Sequence, residues 1–191
     1  MDVPSSPRPP LAYLFWHWPR SGAHLATYET DLLKFHASLA ARPSPGFVRS
    51  MTFAVGGVPW LPGHHDSYED WYLVADWTAL GDLNRAAVEP AHAGPHAQVA
   101  HQAAGGTAGL YALHAGTDAP GQAAASWFAM PPGWRYVELL AALGGCLEQG
   151  SALWQRQLTL GPAPEFCLRS ATRPALPLPL DAEQVGARLL G

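Results

Sequence analysis

The residues best suited to chemistry are the nine histidines, all of which lie from His17 to His114. Imidazole changes charge near neutral pH and ligates metals, so proton transfer or metal binding is what they offer. Beyond His114, proton work is left to scattered carboxylates, arginines and Tyr136. An active site in this chain therefore belongs to its first part.

Spacing argues against a metal. His92 and His96 are i and i+4, but Gly94-Pro95 between them breaks the turn that would align them. His96 and His101 would lie about 140° apart around a helix. In His64-His65-Asp66 adjacent side chains diverge and no third group is fixed nearby, so the segment reads as a solvated loop. Cys146 and Cys167 lack CxxC spacing and read as buried thiols, not as a zinc site or a disulfide.

Proton transfer has better candidates. His17 shares a strand face with Tyr13 and Phe15, and His36 sits at the margin of a helix's apolar stripe. With His96 they are the expected proton acceptors or donors, the plain alternative for His17 and His36 being a hydrogen-bonded core histidine. Asp70, Tyr72 and Asp76 share one face of a later strand, with Arg49 in the strand beside it. On one sheet face these groups would form a polar patch inside a barrel, Arg49 or Tyr72 orienting a ligand oxygen. An ordinary solvent-facing strand is the other reading. Eight Trp and six Tyr offer rigid surfaces for stacking on a planar ligand, Trp77 among the expected substrate contacts, although they suit a core equally well. No GxGxxG, P-loop, GxSxG or HExxH motif occurs.

These residues need elements to place them. Residues 1–10 are polar and proline-rich and read as a loose arm. LAYLFWHW suits a strand. Tyr28, Leu32, Phe35 and Leu39 then recur as one helix face, with Thr27 as N-cap and a stop at Arg42-Pro43. FVRSMTFAV is a second strand, 56–67 a long loop, and SYEDWYLVADW an alternating third strand. Helical pieces follow from Ala79 to Val88 and from Gly94-Pro95 to Ala104; Gly105-Gly106 stops the second, and GLYALHAG is a fourth strand. After an Ala/Gly/Pro linker the order returns in short form: SWFAM, a helix from Tyr136 to Leu147, and a hairpin of LWQRQLTL with EFCLRSA. A capping-box helix is expected from Asp181 through Leu190, and no closing strand. The expected fold is α+β: a ferredoxin-like βαββαβ unit over 11–116 and a truncated second copy over 117–191, closing into an intrachain or dimeric α+β barrel.

Helix 1 with Tyr28, Phe35 and His36, then Pro45-Gly46-Phe47, then Trp77 with Leu80 and Leu83 opening helix 2, resembles the dimeric α+β barrel superfamily, in particular its EthD-like branch. The resemblance implies binding of hydrophobic or aromatic small molecules between sheet and helices, in some members as cofactor-independent oxygenases, isomerases or cyclases and in others with haem. The expected function is such binding, with no cofactor, as an oxygenase or isomerase. The alternatives are a non-catalytic binding or assembly domain, or a haem protein.

Composition bounds the partners. The formal charge is −4 and the eleven Lys and Arg residues are scattered, so no nucleic-acid footprint exists. No apolar stretch is long enough to span a bilayer, and a cytoplasmic protein is expected. The sheet face without helices must be covered, by the second copy or in a homodimer.

Overall fold

The structure, a computed structural model, describes residues 10–191 except 62, 64 and 178. The arm expected over 1–10, apart from Pro10, and His64 of the loop triplet lie outside the described residues.

Strand β1 (Leu11–Pro19) alternates as its sequence demands: Leu14 and Trp16 are wholly buried on one face, while Tyr13, Phe15 and His17 take the other. Helix α1 (Leu25–Ala41) buries Tyr28, Leu32, Phe35, His36 and Leu39. It begins earlier than expected, with His24 rather than Thr27 at the N-cap position, and Thr27 Oγ1 instead lies 3.3 Å from His24 Nδ1. Gly46 follows at φ 72, where a Cβ would collide with Ala79, so glycine lets β2 (Phe47–Gly56) start beneath α2. Strand β3 (Ser67–Val74) is buried at all eight positions. Asp76 is no longer on that strand: its side chain accepts from Ala79 N–H at 2.9 Å and caps α2 (Trp77–Ala86). Helix α3 (Ala93–Gln102) leads straight into β4 (Ala103–Gly116). Gly105 and Gly106 therefore lie in the strand, where Trp18 and Phe15 press against them, and are not the helix stop.

The remaining elements are β5 (Ala124–Phe128), α4 (Tyr136–Glu148), β6 (Ala152–Arg156), β7 (Phe166–Ser170), β8 (Glu183–Gln184) and β9 (Gly186–Leu189). The helix expected over 181–190 does not form. Its residues pair with two sheet edges, β8 with β5 and β9 with β2. Backbone groups on those edges would otherwise lack partners, and this outweighs local helix preference. β8 is also the closing strand that the sequence had not disclosed, two residues long. One antiparallel sheet results, in the order β8-β5-β7-β6-β4-β1-β3-β2-β9. Its two edge strands are separated in the chain by Val185 alone, so the sheet nearly closes into an α+β barrel.

The aromatic face without helices lies inside this barrel. Trp16, Trp71, Trp127 and Trp154 are fully buried there and pack edge-on or tilted against one another. Glu69 accepts from the indoles of Trp16 at 2.7 Å and Trp71 at 2.6 Å, and the Arg169 guanidinium lies over the rings of Phe53 and Trp71. The opposite face of β1 and β3 is covered by α1, α2 and α3.

Candidate functional site

Register decides which groups meet. In β1 and β3, Tyr13 is opposite Tyr72, Phe15 opposite Asp70 and His17 opposite Tyr68. All six side chains share the helix-covered face, and all of them except Tyr68 line a cavity of about 850 Å³. Its walls are mostly apolar: Phe15, Leu32, Phe35, Leu39, Leu80, Leu83 and Val99. No Lys or Arg lines it among the described residues.

The polar groups converge at one place. Asp70, 1% exposed, receives three donors on Oδ2: Tyr72 OH at 2.8 Å, His17 Nε2 at 3.1 Å and His36 Nε2 at 3.4 Å. A carboxylate only accepts, so both imidazoles present Nε2–H to it. Each Nδ1 of a neutral ring is then an acceptor: His17 Nδ1 takes the Tyr28 hydroxyl at 2.6 Å, and His36 Nδ1 takes that of Ser50 at 2.8 Å. Oδ1 of Asp70 is buried and has no hydrogen-bond partner among the described residues.

These contacts set the charges. Burial pushes the Asp70 carboxyl up, but the charge that the two imidazoles carry when protonated, and then the hydrogen bonds they give in either state, outweigh it and hold the group below the usual carboxylate range. Burial, and then the Asp70 charge, pushes the phenols of Tyr72, Tyr28 and Tyr13 above their ordinary value, so all three stay protonated donors at neutral pH.

Of the residues singled out in the sequence, His17, Tyr72, His96 and Trp77 line the cavity. His96 packs edge-on against Phe35, and Trp77 is 48% exposed. His36 is not among the lining residues; it grips Asp70 from the α1 side. Arg49 does not belong to this site. It lies opposite Leu73, not Tyr72, so it faces the barrel interior, where it pairs with Asp118. The polar patch of Asp70 and Tyr72 accordingly lies beneath the helices and not inside the barrel. Sequence reasoning gave no role to Tyr28, which looked like one more residue of α1's apolar stripe, and none of its own to Asp70. The β1–β3 register brings Asp70 to His17, and the packing of α1 on the sheet brings Tyr28.

A second, smaller hollow of about 450 Å³ opens behind Tyr68, lined also by Glu29, His65, Asp66 and Arg188. Burial and the neighbouring Glu29 push the Tyr68 phenol up to about 12. In the second half of the sheet Leu180 is buried, and Leu176 is packed, in a cluster with Phe128, Leu139 and Phe166.

No protein-family model matches the chain, and no curated protein does. Solved structures do match. A candidate monooxygenase from Fusobacterium nucleatum is similar over 85% of this chain and 75% of its own, with a TM-score of 0.58 at 10% identity. One from Lactobacillus acidophilus covers 95% of each chain, with a TM-score of 0.53 at 8% identity. An anthrone oxidase-like protein covers 98% of this chain and 95% of its own, with a TM-score of 0.50 at 12% identity. At such identities the likeness establishes the ferredoxin-like α+β barrel fold. No helix among the described residues is long and apolar enough to cross a membrane.

Proposed function

We propose that the cavity binds an uncharged aromatic or otherwise hydrophobic small molecule and that the protein acts on it as a cofactor-independent oxygenase or isomerase, with His17 as the base of the cluster that drives removal of a ligand proton. The observation that carries this reading is the coincidence of a large apolar cavity with a single polar cluster, Asp70, His17, Tyr28 and Tyr72, in its wall. Removing a proton from a phenol or an activated C–H makes an electron-rich anion. An apolar surrounding limits the water that could reprotonate it. The neighbours described as candidate monooxygenases and as anthrone oxidase-like fit this class of chemistry. Placement of the first copy in the EthD-like branch is part of the same proposal, supported by Tyr28 and Phe35 in the cavity wall and by His36 on Asp70 behind it.

The haem reading has less support. Both ring nitrogens of His17 and of His36 are already engaged, which leaves His96 as the candidate axial ligand facing the cavity.

A thermal-shift screen of polyphenols and quinones tests the proposal. Neutral polycyclic compounds should raise Tm, and carboxylated analogues, which would meet Asp70 with no Lys or Arg in the described cavity wall, should not. A panel in which nothing raises Tm overturns it.

A further inference from the structure

We propose that Tyr28, and not His17 or His36 directly, is the group that meets the ligand's acidic proton, handing its own hydroxyl proton to His17 as it takes that of the ligand. The inference rests on the small-molecule reading above and assigns the residue that carries the proton.

Within the Asp70 cluster the geometry leaves few alternatives; His96 lines the cavity too, packed edge-on against Phe35, but it is no member of that cluster. His17 cannot take a proton directly at Nε2, because that nitrogen carries the hydrogen shared with Asp70. Its free lone pair, on Nδ1, is already covered by the Tyr28 hydroxyl at 2.6 Å. His36 is closed in the same way by Asp70 and Ser50. Asp70 itself is held far below the usual carboxylate range and is a poor base for a phenol. What the cavity wall offers is a hydroxyl already donated to an imidazole, with a carboxylate fixing that imidazole's tautomer from the other side. This is the nucleophile–base–orienter arrangement of serine hydrolases with a phenol in the first place.

The step balances without a further reactant. The ligand's O–H or C–H bond breaks and its proton forms a bond to Tyr28 Oη. The original Tyr28 proton moves to His17 Nδ1. The products are the ligand anion and a His17 imidazolium held against the Asp70 carboxylate. A free tyrosinate is never formed, which is needed because burial keeps the Tyr28 phenol above its ordinary value. Tyr28 is the catalytic residue here. His17 accepts the proton, and Asp70 is a positioning residue.

Tyr28 is fully buried between α1 and the sheet, and Tyr28→Phe keeps its ring, so the variant should fold. Three phenolic probes with ionisation-dependent absorbance, alizarin, 2-naphthol and 9-phenanthrol, are titrated with pH while bound to the full-length protein. In the wild type, the bound probe's ionisation midpoint should fall below that of the free probe. In Tyr28→Phe, a probe bound with affinity within about threefold of wild type should have its midpoint raised by one pH unit or more, a roughly tenfold loss of ionised probe. Asp70→Asn should do the same, because an amide N–H facing Nε2 would move the His17 proton to Nδ1, where Tyr28 could no longer donate. A wild-type midpoint unchanged by binding, or a Tyr28→Phe midpoint equal to wild type, overturns the relay and leaves the binding site standing. Failure of all three probes to bind overturns the small-molecule reading and the relay with it. A ligand-free check is ¹⁵N NMR of the histidines: His17 should carry its proton on Nε2, and the opposite tautomer overturns the relay.

Discussion

Glu69 and Asp70 are consecutive in β3, and their buried carboxyl groups point to opposite faces of one sheet with opposite consequences. Glu69 lies in the barrel interior, where burial raises its pKa against the partial relief given by two indole donors and Arg169. Asp70 lies beneath the helices, where burial also opposes its charge but two imidazoles prevail and lower its pKa. The alternation of a strand alone separates a carboxyl that resists ionisation from one that is locked ionised.

The two make opposite contributions to acid stability. Asp70 is depressed in the folded state, so its contribution is present above about 3.8 and is lost as pH falls below that value. Asp70→Asn should flatten this acid limb. At neutral pH it should cost about 1–3 kcal/mol, because the donors left by removal of the charge are buried. Urea unfolding at intervals between pH 3 and 7 measures both.

Glu69 is raised, so the folded state holds its proton to higher pH than the unfolded chain does. Stability from this group declines as pH rises from about 4.5 through the folded-state pKa. Glu69→Gln should remove that decline while still offering an acceptor oxygen to one indole. The same urea series should give a flatter slope above pH 4.5, and an unchanged slope would place the titration elsewhere.

Much of the fold was legible because its elements follow local rules. The stripe Tyr28, Leu32, Phe35, Leu39 and the alternation of β1 and β3 are set by burial on one face. The C-terminal segment was not legible: Asp181 and Gln184 have capping-box spacing, and only two distant sheet edges turn the segment into β8 and β9. The site was half legible. His17 and Tyr72 stood out as polar groups on aromatic strands, but the side on which Arg49 lies depends on the register shift between Phe47 and Arg49, which sequence spacing does not reveal. Tyr28 was hidden because a phenol in an apolar stripe reads as core until its hydroxyl partner is seen.

Gly106 sets the depth of the cavity floor. A Cβ there would run into the Phe15 ring and the Trp16 carbonyl, and Gly106 and Phe15 both line the cavity. Gly106→Ala should cost about 1–3 kcal/mol through overpacking, and it should displace Phe15 toward the helices. Any ligand found in the thermal-shift screen should lose affinity in this variant, three-ring compounds more than single-ring ones. Equal losses for large and small ligands would show that the change only destabilises the fold.

The second half of the chain covers the aromatic face of the first. Trp16 and Trp71, both fully buried, are covered from inside the barrel by Trp127 and Trp154 of the second half. The 10–116 fragment keeps β4-β1-β3-β2 and its three helices but loses that cover, and it carries Glu69 without Arg169. An apolar face of this kind, several hundred Å² in extent, is unstable in water. The fragment should therefore precipitate or dimerise through the exposed sheet, while the full chain, whose own second half supplies the cover, should run as a monomer. Light scattering on both gives the masses directly. A monomeric fragment with native-like circular dichroism would show that the second half is not needed as a cover. A full-length dimer would show that some other surface drives association.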